Sequence, residues 1–197
     1  MDKVFVIGRD SFPELVRLSS GEEFRAVFVV LPGTSGKYAL EIDIDGQDCV
    51  VDIAGLYICS GKDSVELDVN LRHNSPGSTS TQQFLGVVGG EAKAVFDGLV
   101  YVAPGAMRTK AYQENRSILL DSSAFVESRP QLEIYADDVE CSHGCTSGYL
   151  APDELFYLRS RGIPEDEARR LQKIAFLSPV LKRVPAELAE EIYDSIS

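Results

Sequence analysis

The 197-residue chain carries 31 Asp and Glu against 19 Lys and Arg, for a formal charge of −12, with 44% hydrophobic and 25% charged residues. The composition is ordinary for a globular protein, and a chain this long buries about 70% of its unfolded surface. The basic residues are scattered, whereas bare nucleic acid and anionic membranes select clustered Lys and Arg, so neither is expected as a partner. No run approaches the roughly 18 apolar residues of a membrane span, and Val4-Phe5-Val6-Ile7 is too short for a signal peptide. Four cysteines in an unexported chain read as reduced thiols, which points to the cytoplasm.

Taken in order, the first 145 residues are a series of strand signals. Residues 23–31 are strand-like, and Pro32-Gly33-Thr34-Ser35-Gly36 follows as a turn. Residues 37–44 alternate, with Tyr38, Leu40, Ile42 and Ile44 on one face, and end at the turn signal Asp45-Gly46. Residues 49–59 form a longer apolar run, and residues 64–71 alternate again through Val65, Leu67, Val69 and Leu71. Further strands are expected over 82–88, 92–102, 110–120 and 124–135. No long amphipathic helix interrupts them, so residues 1–148 read as an all-β core: a sandwich, a barrel or a solenoid. The strand signals recur at irregular intervals, without the strict repeat of a regular solenoid. On these grounds alone a β-sandwich is slightly favoured.

Residues 149–197 differ and are read as a helical appendage. Pro152 suits the first turn of a helix, Asp153 and Glu154 suit its N-terminal dipole, and Gly162 suits its stop. Leu155, Phe156 and Leu158 supply its apolar side. A second helix starts at Pro164, with Ala168, Leu171, Ile174 and Ala175 at helical spacing, and ends or kinks at Pro179. A third starts near Pro185, with Leu188, Ile192 and Ile196 spaced by four.

Two of the four cysteines and one of the two histidines fall within Cys141-Ser142-His143-Gly144-Cys145. On an extended backbone Cys141, His143 and Cys145 share one face, about 6–7 Å apart at the backbone, and Ser142 points away. Thiolate and imidazole suit zinc and iron–sulfur clusters. The alternative is packing: a free Cys often behaves as a small buried hydrophobe, and His143 could hydrogen-bond Asp137 or Asp138 and shape the turn. Three donors are also one short of a closed zinc site. A Ser–His hydrolytic site is disfavoured, because Ser142 would face the wrong way and no G-x-S-x-G elbow is present. Gly33-Thr34-Ser35-Gly36-Lys37 fails the phosphate-loop spacing and reads as an ordinary hairpin turn. With no visible nucleotide site, no enzymatic activity of its own is expected. Cys49 and Cys59 are expected in the core, and His73 in a structural role at a strand end.

Several segments together resemble the SufB/SufD family of iron–sulfur cluster assembly proteins, and SufD in particular. They are Arg72-His73-Asn74-Ser75-Pro76, Ala94-Val95-Phe96-Asp97-Gly98, Asn115-Arg116-Ser117-Ile118-Leu119-Leu120, Arg129-Pro130-Gln131-Leu132-Glu133-Ile134, and ADDVECSHG followed by ELFYLRSRGI. They run from about Val65 to Leu181 in the family's order. The resemblance implies a right-handed parallel β-helix instead of a sandwich. It makes His143 the first candidate ligand of a nascent, transient iron–sulfur cluster at a subunit interface, followed by Cys141 and then Cys145, with Asp137, Asp138 and Gly144 shaping the site. Zinc on the same residues is the alternative. The implied partners are a SufC-like ABC ATPase, docked by helices carrying Leu155, Phe156, Leu171 and Ile174, and a SufB-like scaffold or a second copy of the chain. Two departures stand out. Family members are about twice as long, and the scaffold cysteine that SufB carries about 19 residues before its own His is absent, since no residue from Asp121 to Glu127 is Cys.

Overall fold

The computed structural model describes residues 2–196 and consists of a parallel β-helix flanked by three helices. The strands are β1 (Lys3–Val6), β2 (Leu15–Leu18), β3 (Glu23–Val30), β4 (Gly36–Ile44), β5 (Val50–Cys59), β6 (Ser64–His73), β7 (Thr79–Val88), β8 (Lys93–Val102), β9 (Lys110–Leu119), β10 (Phe125–Ile134) and β11 (Glu140–Tyr149). Odd-numbered strands form one six-stranded sheet in the order β1-β3-β5-β7-β9-β11, and even-numbered strands form a five-stranded sheet in the order β10-β8-β6-β4-β2. Every ladder is parallel. The chain therefore alternates between sheets at each corner and climbs one rung every two strands. This settles the fold against the β-sandwich, whose sheets are antiparallel.

The same topology corrects the hairpin reading of residues 33–37. Strands β3 and β4 lie in different sheets, so the Gly33 turn is a corner of the coil. It is braced by Asp63, one rung on, which accepts a hydrogen bond from the Gly33 amide at 3.0 Å. The short strands β1 and β2 went unassigned in the sequence reading. Strand β11 was also not among the expected strands, whereas β3 to β10 and the buried Cys49 and Cys59 lie where their patterning placed them.

Alternation fixes which side chains enter the lumen. In the even sheet Leu40, Ile42 and Ile44 continue as Val69, Leu71 and His73, then as Gly98, Val100 and Val102. All of the apolar members are buried. Large side chains are matched with glycines on neighbouring rungs. A Cβ at Gly86 would overlap the Tyr57 ring, and one at Gly55 the Phe84 ring. Interiors this dense leave no slack for even a methyl group. At the N-terminal end Phe5, Phe12 and Phe28 close the lumen, with ring centroids 5.5–6.3 Å apart.

The helices are α1 (Pro152–Ser160), α2 (Glu165–Leu181) and α3 (Ala186–Ser195). Helix α2 continues through Pro179 to Leu181 before it stops. Leu177, Val180 and Leu181 of α2 and Ile192 of α3 pack on Val27, Val29, Ala54, Leu56, Leu85 and Val87, the outer face of the odd sheet. Each such large aliphatic side chain contributes about 1.5–3 kcal/mol. Arg183 joins the helices to the first rungs through Asp2 and Asp52, both at 2.9 Å. No helix among the described residues is long and apolar enough to cross a membrane.

His73 ends β6 inside the lumen, where its Nε2 lies 2.9 Å from Ser80 Oγ. Burial holds its pKa near 4, below the usual 6.5. Between those values the unfolded chain takes up a proton that the folded chain refuses, so stability is lost as pH falls from 6.5 to 4. The full shift corresponds to about 3 kcal/mol. Urea unfolding of His73→Gln across this range should show a flatter pH dependence than the unsubstituted chain. Parallel profiles would contradict the assignment.

Candidate functional site

The last rung, β10 and β11, is paired on one side only. Its lumen-facing residues follow from register. Cys141 lies opposite Ala111, His143 opposite Gln113, and Cys145 opposite Asn115, and all three β9 partners are buried inward-facing residues. The shared face expected for Cys141, His143 and Cys145 is therefore present, and Ser142 lies on the outer face, as alternation requires. From the even sheet, Pro130, Leu132 and Ile134 are aligned with the inward-facing Gly98, Val100 and Val102. With no further rung above them, His143 and Cys145 are exposed.

The three donors have different surroundings. Cys141 is half-buried against Val100, Val102, Ala106, Ala111 and Leu132. Burial pushes its thiol pKa up, partly offset by a hydrogen bond from the Ala111 backbone. Cys145 is exposed. The His143 ring has no hydrogen-bond partner among the described residues. Asp137 and Asp138 occupy the corner before β11. Asp138 has a φ of 54°, and its carbonyl accepts a hydrogen bond from the Arg108 amide at 2.7 Å. Neither carboxylate is bonded to His143. Gly144 lies on the outer face, where an added Cβ would meet nothing within 4 Å. The rung thus leaves the sides of His143 bare.

Among the described residues no three His, Cys, Asp or Glu side chains are close enough to hold a metal ion. The spacing explains this: donors two apart on a strand sit about 6–7 Å apart, whereas zinc takes its ligands at about 2.0–2.3 Å. One rung can contribute one or two ligands to a metal centre, and the others must come from a second surface. Ala124 lies in the corner before β10, and the whole 121–127 stretch supplies no thiol.

Sequence reasoning missed the polar interior beneath this rung. Gln82, Gln113, Asn115 and Ser117 are all buried. Gln113 Nε2 donates to Gln82 Oε1 at 3.3 Å, and the Tyr57 hydroxyl donates to Asn115 Oδ1 at 3.0 Å. The available signal was in β9, where polar residues occupy the alternate positions 113, 115 and 117 of a strand buried on that face.

The helices contribute a second surface. Helix α1 buries none of its residues, and Phe156 is 75% exposed. Leu171 is exposed and Leu155 half-buried. Tyr157, Leu158, Leu171 and Ala175 line a groove of about 400 Å³ between α1 and α2. Ile174 turns inward and packs on the odd sheet.

Comparison with known proteins gives this arrangement a family. Residues 15–176 match the model of the SufBD core domain of the SUF iron–sulfur cluster assembly system. The chain belongs to the SufBD family. Among its relatives are the iron–sulfur cluster assembly protein SufD of Escherichia coli, 34% identical over 84% of this chain, and a SufBD family protein of Synechocystis, 34% identical over 82%. The chloroplastic protein ABCI7 of Arabidopsis thaliana is 34% identical over 86%. The matches cover only 36–37% of each relative's length. The family match includes both the polar interior strand β9 and the open rung β11.

The four thiols should separate by reactivity. Alkylation of the native chain should modify Cys145 first and Cys141 more slowly. Cys49 and Cys59 should react only on unfolding, since burial raises the Cys59 pKa to about 12. Mass spectrometry of a time course would show the order. Early labelling of Cys59 would contradict it.

Proposed function

We propose that the chain acts as a SufD-like assembly component that presents His143 at its open rung to a nascent iron–sulfur cluster. The observation that carries this reading is the placement of Cys141, His143 and Cys145 on the lumen side of a rung that nothing covers. An exposed imidazole is a borderline ligand that needs no deprotonation of a buried group. Cys141 is the second candidate and must first lose a proton that burial retains. Cys145 is the third. A donor set this spread out requires a second protein to complete it, and a SufB-like scaffold meeting the rung end-on supplies both the missing ligands and the missing strand pairing.

Helices α1 and α2 supply the second contact in this reading. Leu155, Phe156 and Leu171 form the docking side for a SufC-like ABC ATPase, while Ile174 supports it from within. ATP-driven movement of that subunit would open the interface so that iron and sulfide reach the cluster position. The β-helix contributes ligands and surface and performs no hydrolysis. Zinc held by the same residues is the competing reading, together with a role as a homo-oligomeric β-helix with no metal at all.

Anaerobic co-expression with SufB-type and SufC-type subunits distinguishes these outcomes. The purified complex should contain iron and acid-labile sulfide, and His143→Ala should abolish both. Folding should be retained within about 0.5 kcal/mol, because His143 is an exposed residue on the last rung. Zinc without sulfide would replace the reading with a structural metal, and retention of the cluster in His143→Ala would overturn it.

A further inference from the structure

Beneath His143 the lumen holds a column of paired positions: Ile53, Gln82, Gln113 and then His143. The Gln113 side chain is only 3% exposed, and its amide is held on two sides. On the β7 side, Nε2 donates to Gln82 Oε1 at 3.3 Å. Across the lumen stands Gly98, where a Cβ would crowd the same Nε2. The amide fits there because the facing wall has no side chain. With Nε2 committed toward β7, Oε1 remains, and it is buried with no hydrogen-bond partner. Two neighbours in the column have polar atoms without a partner: Gln82 on the β7 side, through its Nε2, and His143 on the β11 side, whose ring is not bonded to this Oε1 in the structure.

A buried carbonyl without a donor carries its full desolvation penalty, and an imidazole N–H is a donor in either neutral tautomer. Ligating histidines generally donate their second ring N–H to a fixed acceptor, which sets the tautomer and raises the basicity of the ligating nitrogen. We propose that Gln113 is the positioning residue of His143. A rotation of the His143 ring brings one imidazole N–H to this Oε1, which then holds the ring in a single tautomer and leaves the other nitrogen unprotonated at the open end. This inference rests on the reading of His143 as a ligand. It adds that the ligand is pre-set by the rung below before any partner arrives. Gln82 Oε1 holds the Gln113 amide from the β7 side.

The two histidines of the chain make the test direct. Long-range ¹H–¹⁵N spectra of the metal-free, ¹⁵N-labelled full chain report the protonation of each ring nitrogen, and His143→Ala assigns the signals. His143 should show one protonated and one unprotonated nitrogen, as a single tautomer. Gln113→Met keeps the volume and removes the acceptor, and should average the two nitrogens of His143 while leaving the His73 signals unchanged. In the co-purified complex the same variant should lower iron and sulfide by roughly tenfold or more, with ATPase recovery unaltered. An averaged His143 in the unsubstituted chain, or no response to Gln113→Met, would overturn the proposal. Loss of the iron–sulfur reading would appear separately, as absence of iron and sulfide from the unsubstituted complex, with the tautomer result intact.

Discussion

A parallel coil satisfies the backbone and buries the lumen of each rung only by laying another rung on top. Every other feature of this chain depends on that rule. From β3 to β9 it is obeyed, and interior columns such as Ile42, Leu71 and Val100 are apolar and buried. At the N-terminal end Phe5, Phe12 and Phe28 pack together in the lumen. At the other end β10 and β11 have neither a rung nor an aromatic plug. Ten residues of β11 present an unpaired edge, which costs free energy and invites pairing with another strand.

The donors gather at that end. Any residue facing inward on an interior rung is sealed off, as His73 and Cys59 are. The same residue type on the last rung faces inward in geometry yet opens to solvent. The lumen beneath is polar over the last two rungs, through Gln82, Gln113 and Asn115, so an exposed imidazole sits over hydrogen-bonding groups instead of hydrocarbon. The helices follow a complementary plan. They cover the outer odd sheet as far as β7, touch β9 where the Phe176 ring of α2 meets the Arg116 guanidinium at 5.6 Å, and leave the outer face of β11 exposed. Open edge, bare lumen and exposed α1 thus lie toward the same end of the coil.

Much of this was legible in the sequence. Eight of the strands were marked by alternation or apolar runs, because covered faces demand it. The three helices were marked by Pro at their starts and Gly162 after the first. The shared face of Cys141, His143 and Cys145 followed from period 2 alone. The coil itself was not legible from local patterning, since the spacing between rungs varies: Leu15 pairs with Glu41, Ser64 with Lys93, and Lys93 with Phe125. Sheet membership is a non-local property, and the resemblance supplied it where periodicity could not. Strands β1 and β2 are four residues each, too short to show a period. The apolar stripe of α2 was read only in its first part, where Ala168 is buried and Ile174 packs on the odd sheet. It continues through Leu177, Val180 and Leu181, which the pattern did not include, while Leu171 and Ala175 face out, because the sheet meets mainly the second half of the helix.

Hydrogen exchange followed by mass spectrometry, on the chain alone and in complex with a SufB-type scaffold, would probe the open rung most directly. In the free chain, peptides covering β10 and β11 should exchange quickly, while those covering β5 to β7 stay protected. On complex formation the β10 and β11 peptides should become protected, with little change at β1 and β2. Protection that appears instead at the phenylalanine-filled end, or a β11 already protected in the free chain, would contradict the view that the last rung is left open for a partner.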